Sequence, residues 1–493
     1  MKCNKGVITM ELVIKAKNIN LEYNGKDILD IDDLEIYSYD KIGIIGKNGA
    51  GKTTLLKVLM GQIKLDTADV RTYGEISYIP QLENIEIENI EDKSVLGKLN
   101  VHNLAGENLS GGEETKLKIA KAFSENNDVI FADEPTCNLD NESIEYITNT
   151  LKYYSGSVVV ISHDRYFLDE VVNKIWEIEN GKIKEYWGNY SDYLEQKELE
   201  NQTQLRNYEQ YISEKQRLEK IIDEKMKQAQ KVGKSKRKHN TESGGRLAHQ
   251  KSQGSKEKAI HKSAQAVMKR LESLEEVSKP VKDRQIHFRI SSFLEMHNPV
   301  PISGDNLTKK MGDKVLFENT KFLIPLGKKV AITGANGTGK TTLLKMILNK
   351  ENGIQISPKV QIGYFAQNGY KFEKDKNVLE FLKESSDYPV SEIRSMISML
   401  GLEQNVITRK MQTLSGGEIV KILLCKMLLG RYNVLIMDEP NNYLDIPSIE
   451  ALESLMRQYK GTIIFVSHDK RLVQNVADII YEINNQKIIE IAQ

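Results

Sequence analysis

One block of chemistry occurs twice in this chain, in the same order. GKNGAGKTTLLKVLMG (46–61) is answered by GANGTGKTTLLKMILN (334–349), NLSGGEETKLKIA (108–120) by TLSGGEIVKILL (413–424), FADEPT (131–136) by IMDEPN (436–441), and VISHDRYF (160–167) by VSHDKRLV (466–473). A duplication of this kind restricts a 493-residue chain to two globular halves of one fold, with the intervening segment as a third unit. The expected division is 1–189 and 286–493 for the halves and 190–285 for the segment between them.

Each block begins as a strand, a loop and a helix. IKAKNINLEY (14–23) alternates polar and apolar residues and reads as a strand, with Tyr23 just before an Asn24-Gly25 turn. KIGIIG (41–46) is a short apolar strand that runs into Gly46-x-x-x-x-Gly51-Lys52-Thr53 and then an amphipathic helix closed by Gly61. That context is what a phosphate-binding loop requires. Glycines let backbone N–H groups face phosphate, and the helix N-terminus adds positive potential. Lys52 then reaches the β- and γ-phosphates, and Thr53 ligates Mg2+. The expected ATP contacts of the first loop are Gly46, Asn48, Gly49, Gly51, Lys52, Thr53 and Thr54. Those of the second are Gly334, Asn336, Gly337, Gly339, Lys340, Thr341 and Thr342.

VIFAD (129–133) reads as a buried strand ending in two acids. Asp133 is expected to hold Mg2+ and Glu134 to orient and deprotonate the attacking water. His163 follows the strand VVVIS and is expected at the γ-phosphate. A single histidine after a strand is usually structural, but this one lies 29 residues beyond Glu134, and the interval recurs between Glu439 and His468. Asp438 and Glu439 repeat the acid pair, so both sites are expected to hydrolyse ATP.

LSGGE (109–113 and 414–418) narrows the class further, because it resembles the signature of ATP-binding cassettes. Serine and two glycines at a helix start make a second anion site, here Ser110, Gly111, Gly112 and Ser415, Gly416, Gly417. In that family the signature faces the ATP of the opposite cassette. The resemblance also implies that Gln81 and Gln367 are Mg2+-side glutamines and that Tyr23 is an adenine platform. Aligning Gly25 with Gly312 puts Lys310 at the Tyr23 position, so the two sites are expected to be unequal. Gln81 to Ser110 spans 29 residues and Gln367 to Ser415 spans 48, so the first cassette carries a trimmed helical region and no added arm.

Composition adds little for the whole chain, because 69 Lys/Arg balance 69 Asp/Glu. It speaks for the middle, where 190–285 holds 22 Lys/Arg against 15 Asp/Glu. Cys3, Cys137 and Cys425 have no metal or disulfide spacing, which fits a reducing cytoplasm. No apolar run approaches a membrane span, and MKCNKGVITM is not a signal peptide. Met10 is a second candidate start, since MELVIKAKNINLEY reads as the beginning of the first half. Helices are expected over about 191–232, with Tyr208, Ile212, Leu218, Ile222 and Ala229 as an apolar stripe, and about 255–278. In the second of these, Ile260, Ala264, Val267, Leu271 and Leu274 step as a two-stranded seam, and Pro280 ends it. The stretch 231–258 between them carries nine Lys/Arg, two acids and no aromatic. It reads either as a solvated linker or as an electrostatic finger for a phosphate backbone. The finger reading assigns RNA contacts to Lys234, Lys236, Arg237, Lys238, Arg246 and Lys251.

Two cassettes, no membrane span and a basic helical hairpin between them resemble the ABC-F family over essentially the whole chain. HDRYFLDE, EYWGNYSDYL, GGRLAHQKS and LFENTKF resemble its antibiotic-resistance branch, in particular the macrolide/streptogramin-resistance (Msr-type) members. The resemblance implies an α/β fold, two tandem P-loop cassettes joined by a long α-helical hairpin, working as a monomer with an intramolecular cassette dimer. It implies a cytoplasmic ATPase using ATP and Mg2+. The implied partner is the 70S ribosome at the tRNA exit site, with the linker against rRNA and P-site tRNA, dislodging drugs from the peptidyl-transferase centre. The alternatives are a housekeeping ABC-F translation regulator, which usually carries the arm missing here, a transporter ATPase subunit, and a DNA-repair ATPase, whose coiled coil usually interrupts a cassette. Two loops depart from the family's usual D-E-P-T-N-H-L-D: DEPTCNLD (133–140) and DEPNNYLD (438–445).

Overall fold

The computed structural model describes residues 11–23, 25–80, 111–124, 127–137, 139, 141–238, 246–277, 288, 295–312, 314–366 and 376–491. The chain forms two compact units, Met1–Tyr193 with Arg284–Gln493, and Leu194–Asp283. Both cassettes therefore share one unit.

In the first cassette, β1 (Leu12–Tyr23), β2 (Lys26–Tyr37) and β4 (Asp69–Thr72) make an antiparallel sheet in the order β2-β1-β4. A second sheet has the order β5-β6-β7-β3-β8-β9, from β3 (Lys41–Gly46), β5 (Ile76–Ile79), β6 (Val129–Asp133), β7 (Ser157–Ile161), β8 (Lys174–Glu179) and β9 (Lys182–Trp187). Its strands are parallel apart from β9. Strands β6 and β7 are buried at every residue, with one face packed on the antiparallel sheet and α1. The helices are α1 (Lys52–Leu59), α2 (Gly111–Ser124), α3 (Asn141–Lys152) and α4 (Arg165–Val171). The core joins the two sheets through Ile14, Ile36, Leu55, Phe131 and Trp176.

The second cassette repeats this plan. β11 (Lys314–Ile324), β10 (Ile302–Met311) and β13 (Ile354–Ile356) form the small sheet. The main sheet runs β14 (Ile362–Phe365), β15 (Val434–Asp438), β16 (Thr462–Val466), β12 (Lys329–Thr333), β17 (Ile479–Asn484), β18 (Lys487–Ile491).

The other unit consists of α5 (Tyr190–Lys238), whose first turn still belongs to the cassette unit, and α6 (Arg246–Glu272). Both are longer toward the turn than the sequence led us to expect, so much of 231–258 is helical. Gly233 and Gly254 are single glycines among good helix formers and are tolerated. Gly244-Gly245 is the stronger breaker, and it falls in 239–245, outside the described residues. Leu218, Ala229 and Ala264 are buried along the seam, and Arg270 reaches Glu214 Oε1 at 3.1 Å between the helices. At 1.5 Å per residue α5 extends about 70 Å.

Candidate functional site

In each cassette the phosphate loop leaves the C-terminal edge of a buried central strand, and its geometry is that of a backbone cradle. Gly51 and Gly339, the residues before α1 and α7 (Lys340–Leu348), have φ of 93° and 105°. A Cβ on Gly51 would also lie 2.9 Å from Ile28, so both conformation and space require glycine there. Lys52 folds back over the loop, its Nζ donating to the carbonyls of Gly46 at 2.8 Å and Lys47 at 3.1 Å. Lys340 does the same to Gly334 and Ala335, at 2.9 and 3.0 Å. Burial pushes the Lys52 pKa down.

Asp133 ends β6 with Oδ2 accepting from Thr53 Oγ1 at 2.7 Å. The glutamates that follow each strand, Glu134 and Glu439, both have positive φ, 52° and 51°. Such backbone is uncommon for a side chain of this size and gathers at functional sites. Here it turns the carboxylate back toward the strand-end histidine. His163 Nε2 lies 3.3 Å from Glu134 Oε1, and its backbone N–H donates to Oε2 at 3.2 Å. His468 Nε2 lies 3.5 Å from Glu439 Oε1.

Burial shifts the titration of three of these groups. Burial, with the charge of Asp133 added, pushes Glu134 up to about 8. Burial likewise lifts Glu439 to about 7. Burial, with the charge of Lys52 added, drives His163 down to about 3. Glu134 Oε1, His163 Nδ1 and Asp438 Oδ1 are buried without a hydrogen bond, the arrangement expected of groups reserved for a ligand.

The two cassettes complete one another. Asn48, in the first phosphate loop, donates its backbone N–H to Asp445 Oδ2 at 2.9 Å and its side-chain N–H to the carbonyl of Tyr443 at 3.0 Å. Its amide also lies 3.4 Å from where a Cβ on Gly417 would sit, in the signature that opens α10 (Gly416–Leu428). Ser415 and Glu418 form a capping box there, and Arg409 donates to Glu418 Oε1 at 2.8 Å. Asp445 also caps α11 (Ile446–Gln458) and pairs with buried Lys421 at 3.2 Å. Burial pushes its pKa up, but the charge of Lys421 and the hydrogen bonds from Ser448 and Asn48 outweigh it and hold the carboxyl below its usual range. A cleft of about 1550 Å³ results, open to both phosphate loops and lined by Glu134, His163, Ser415, Glu439 and His468.

Of the remaining residues singled out from sequence, Gly111 and Gly112 open α2, while Gln81, Ser110 and Gln367 lie outside the described residues. Lys234, Lys236, Arg237 and Lys238 fall in the last turns of α5, and Arg246 and Lys251 in the first turns of α6. The glycine alignment of the two hairpins is corrected by register. Tyr23 pairs with Lys26 and Met311 with Lys314, so Met311, and not Lys310, is the counterpart of Tyr23. The glycines mislead because they occupy different places in the two turns. Tyr23 is 70 % exposed and does not line the cleft, whereas Met311 does. Sequence reasoning missed Asp445, Lys421 and Arg409; its one signal was the irregular DEPNNYLD loop that ends at Asp445.

The ABC transporter family model matches 29–137 and 317–442, and a second model of the same description matches 176–242. The erythromycin resistance ATP-binding protein MsrA of Staphylococcus epidermidis is 40 % identical over 98 % of this chain and 99 % of its own length. The chain belongs to the ABC-F family. As an ABC-F protein it is an ATPase with two ATP-binding cassettes. The ribosome protection protein VmlR of Bacillus subtilis is 33 % identical, over 97 % of this chain and 88 % of its own. Among solved structures the fold is shared with the RNase-L inhibitor at a TM-score of 0.64 and 20 % identity, over 94 % of this chain and 88 % of that one. Among the described residues, no helix of this ABC-F protein is long and apolar enough to cross a membrane.

Proposed function

We propose that this ABC-F ATPase is a ribosome protection factor: it binds the bacterial ribosome at the tRNA exit site and uses its helical hairpin to dislodge an antibiotic from the peptidyl-transferase region. Cassettes at 1–189 and 286–493 bind and hydrolyse ATP, and 190–285 is the effector. The observation that carries the reading is the composite cleft. There the Asn48 loop of one cassette is held by the Asp445 loop of the other, beside the Ser415 signature. ATP in such a cleft draws the cassettes together, and hydrolysis lets them part. The names of MsrA and VmlR, erythromycin resistance and ribosome protection, supply the setting in which that motion is used.

Within the cleft, Lys52 and Lys340 exchange loop carbonyls for β- and γ-phosphate oxygens. Ser110 and Ser415 present helix N-termini to the γ-phosphate of the opposite cassette. Glu134 and Glu439 take the proton from the attacking water, and His163 and His468 orient it against the γ-phosphate. The donor set fits Mg2+: Thr53 beside Asp133, and Thr341 bonded to Asp438, whose Oδ1 is left without a hydrogen bond. Thr53, Gln81 and Asp133, with Thr341, Gln367 and Asp438 in the second site, would hold the ion. When bound it neutralises charge developing on the phosphates.

The decisive experiment is a drug-susceptibility panel in a sensitive host, run beside ribosome co-sedimentation with non-hydrolysed ATP. Protection against macrolides, lincosamides, streptogramins or pleuromutilins, with ATP-dependent co-sedimentation, is the expected result. Co-sedimentation without protection would favour a housekeeping role, and neither would remove the ribosome from the account.

A further inference from the structure

Beside the cleft, whose lining includes Asp469, the two cassettes meet again at a buried ionic cluster next to both strand-end histidines. Arg165, two residues after His163, is the first residue of α4 and only 3 % exposed. Its guanidinium crosses to the second cassette and donates to Asp469 Oδ2 at 3.2 Å and to Glu453 on α11. Asp469 immediately follows His468 and is the cap of α12 (Lys470–Val476). Its two oxygens are divided: Oδ1 accepts from Leu472 N–H at 3.0 Å and Oδ2 faces Arg165. Its own N–H donates to Ser467 Oγ at 3.0 Å. His468 is thus flanked by a residue fixed at three points, one of them supplied by the other cassette.

The arrangement is not symmetric. The residue at the Arg165 position of the second copy is Lys470, and its ammonium sits 4.4 Å from the centre of the Tyr166 ring. Nor is the cluster economical as adhesive. Buried ion pairs seldom outdo apolar packing of equal volume, and the Arg165 Nε–H is buried with no acceptor. What an arginine fork supplies and an apolar side chain does not is orientation.

We propose that Arg165 is a positioning residue for hydrolysis at the second site: reaching from the first cassette, it fixes Asp469 and through it His468, so the second histidine is aligned only when the cassettes are closed. The inference rests on the reading of Glu439 and His468 as the second hydrolytic centre. It makes coupling between the sites directional, because Arg165 belongs to the segment that carries His163.

The test uses full-length protein with one site silenced at a time. In a Glu134→Gln background, where the second site works alone, Arg165→Lys is expected to slow single-turnover phosphate release roughly tenfold, the scale on which outer-shell partners act. In a Glu439→Gln background the same change should alter the first site by less than about twofold, with binding of a fluorescent ATP analogue unchanged in both. A merely structural clamp would lower both rates together, and that result would overturn the proposal. If Arg165→Lys does not fold, Asp469→Asn asks the same question from the other end, since asparagine keeps the cap and weakens the guanidinium contact. Amide hydrogen exchange across 468–472 separates this link from the base assignments: it should quicken in the folded variant whichever residue takes the proton. Unchanged protection there would end the proposal even if the glutamates behave as described.

Discussion

The proposed bases, Glu134 and Glu439, share an unusual combination, a positive φ and a buried carboxyl. Glu134→Gln together with Glu439→Gln should leave ATP binding intact and lower turnover about 10²- to 10⁴-fold, as loss of a positioned base does. The closed protein should then stay on ribosomes in co-sedimentation and slow growth; normal hydrolysis in the double variant would refute the assignment. The same carboxyls predict a pH dependence. With folded values near 8 and 7 they are protonated at pH 6 in the free protein, so kcat/KM for ATP should climb between pH 6 and pH 8. Linkage gives the sign for stability. Their folded values lie above the ordinary 4.5, so the stability they add is full below that pH and is lost as pH rises toward 8. Thermal melts of the free double-Gln variant should therefore show a flatter slope over that window. The adenine side is a second residue-scale matter. Stacking of a base on an aromatic ring contributes about 1–3 kcal/mol. Tyr23 stands outside the cleft, so Tyr23→Ala tests the platform that the family resemblance implies: if the ring stacks on the adenine when ATP is bound, binding at the first site should weaken, and Met311→Ala should weaken the second less, read by titration of each site with its partner silenced.

At the scale of elements, Asp445 shows how one side chain serves three. It caps α11, pairs with Lys421 on α10 and receives the Asn48 N–H from the first cassette. Asp445→Ala strands a buried ammonium, which costs about 3–5 kcal/mol. The melting temperature should fall by several degrees and the ATP-induced closure, read by small-angle scattering, should weaken. This residue also marks the limit of what the sequence discloses. The loops, strands and helices of both cassettes were legible because each is a local pattern: apolar runs for β6 and β15, glycines before α1 and α7, an S-G-G start for α2 and α10. The Asn48–Asp445 bond joins residues 397 apart, and Arg165 and Asp469 are 304 apart. Nothing local encodes such pairs; they exist because two folded surfaces meet. Local reasoning also failed at the hairpin, where basic charge was read as loop although Lys and Arg are good helix formers.

For the whole molecule, the proposed function has the cassettes do the chemistry and the hairpin meet the ribosome. Each half of that division has its own variant. The seam residues Leu218, Ala229 and Ala264 lie outside 240–250, so replacing that stretch by a short Gly-Ser turn should leave both helices paired and ATPase activity unchanged. The replacement removes Arg246 alone among Lys and Arg, so ribosome affinity should fall modestly, while the proposed role of the turn at the drug site predicts that drug protection is lost. Charge reversal at Lys236, Arg237 and Lys238, in the last turn of α5, should behave in the opposite way. Each phosphate contact releases a counterion, and the logarithm of affinity falls with the logarithm of salt by about 0.7 to 0.9 per contact. Losing three contacts should weaken ribosome binding at low salt and flatten its salt dependence by about two to three units of slope. Growth at graded drug concentrations and co-sedimentation across a salt series read the two effects separately. Resistance that survives the Gly-Ser replacement would make the hairpin a passive spacer, and an unchanged salt slope after charge reversal would remove the phosphate backbone as its partner.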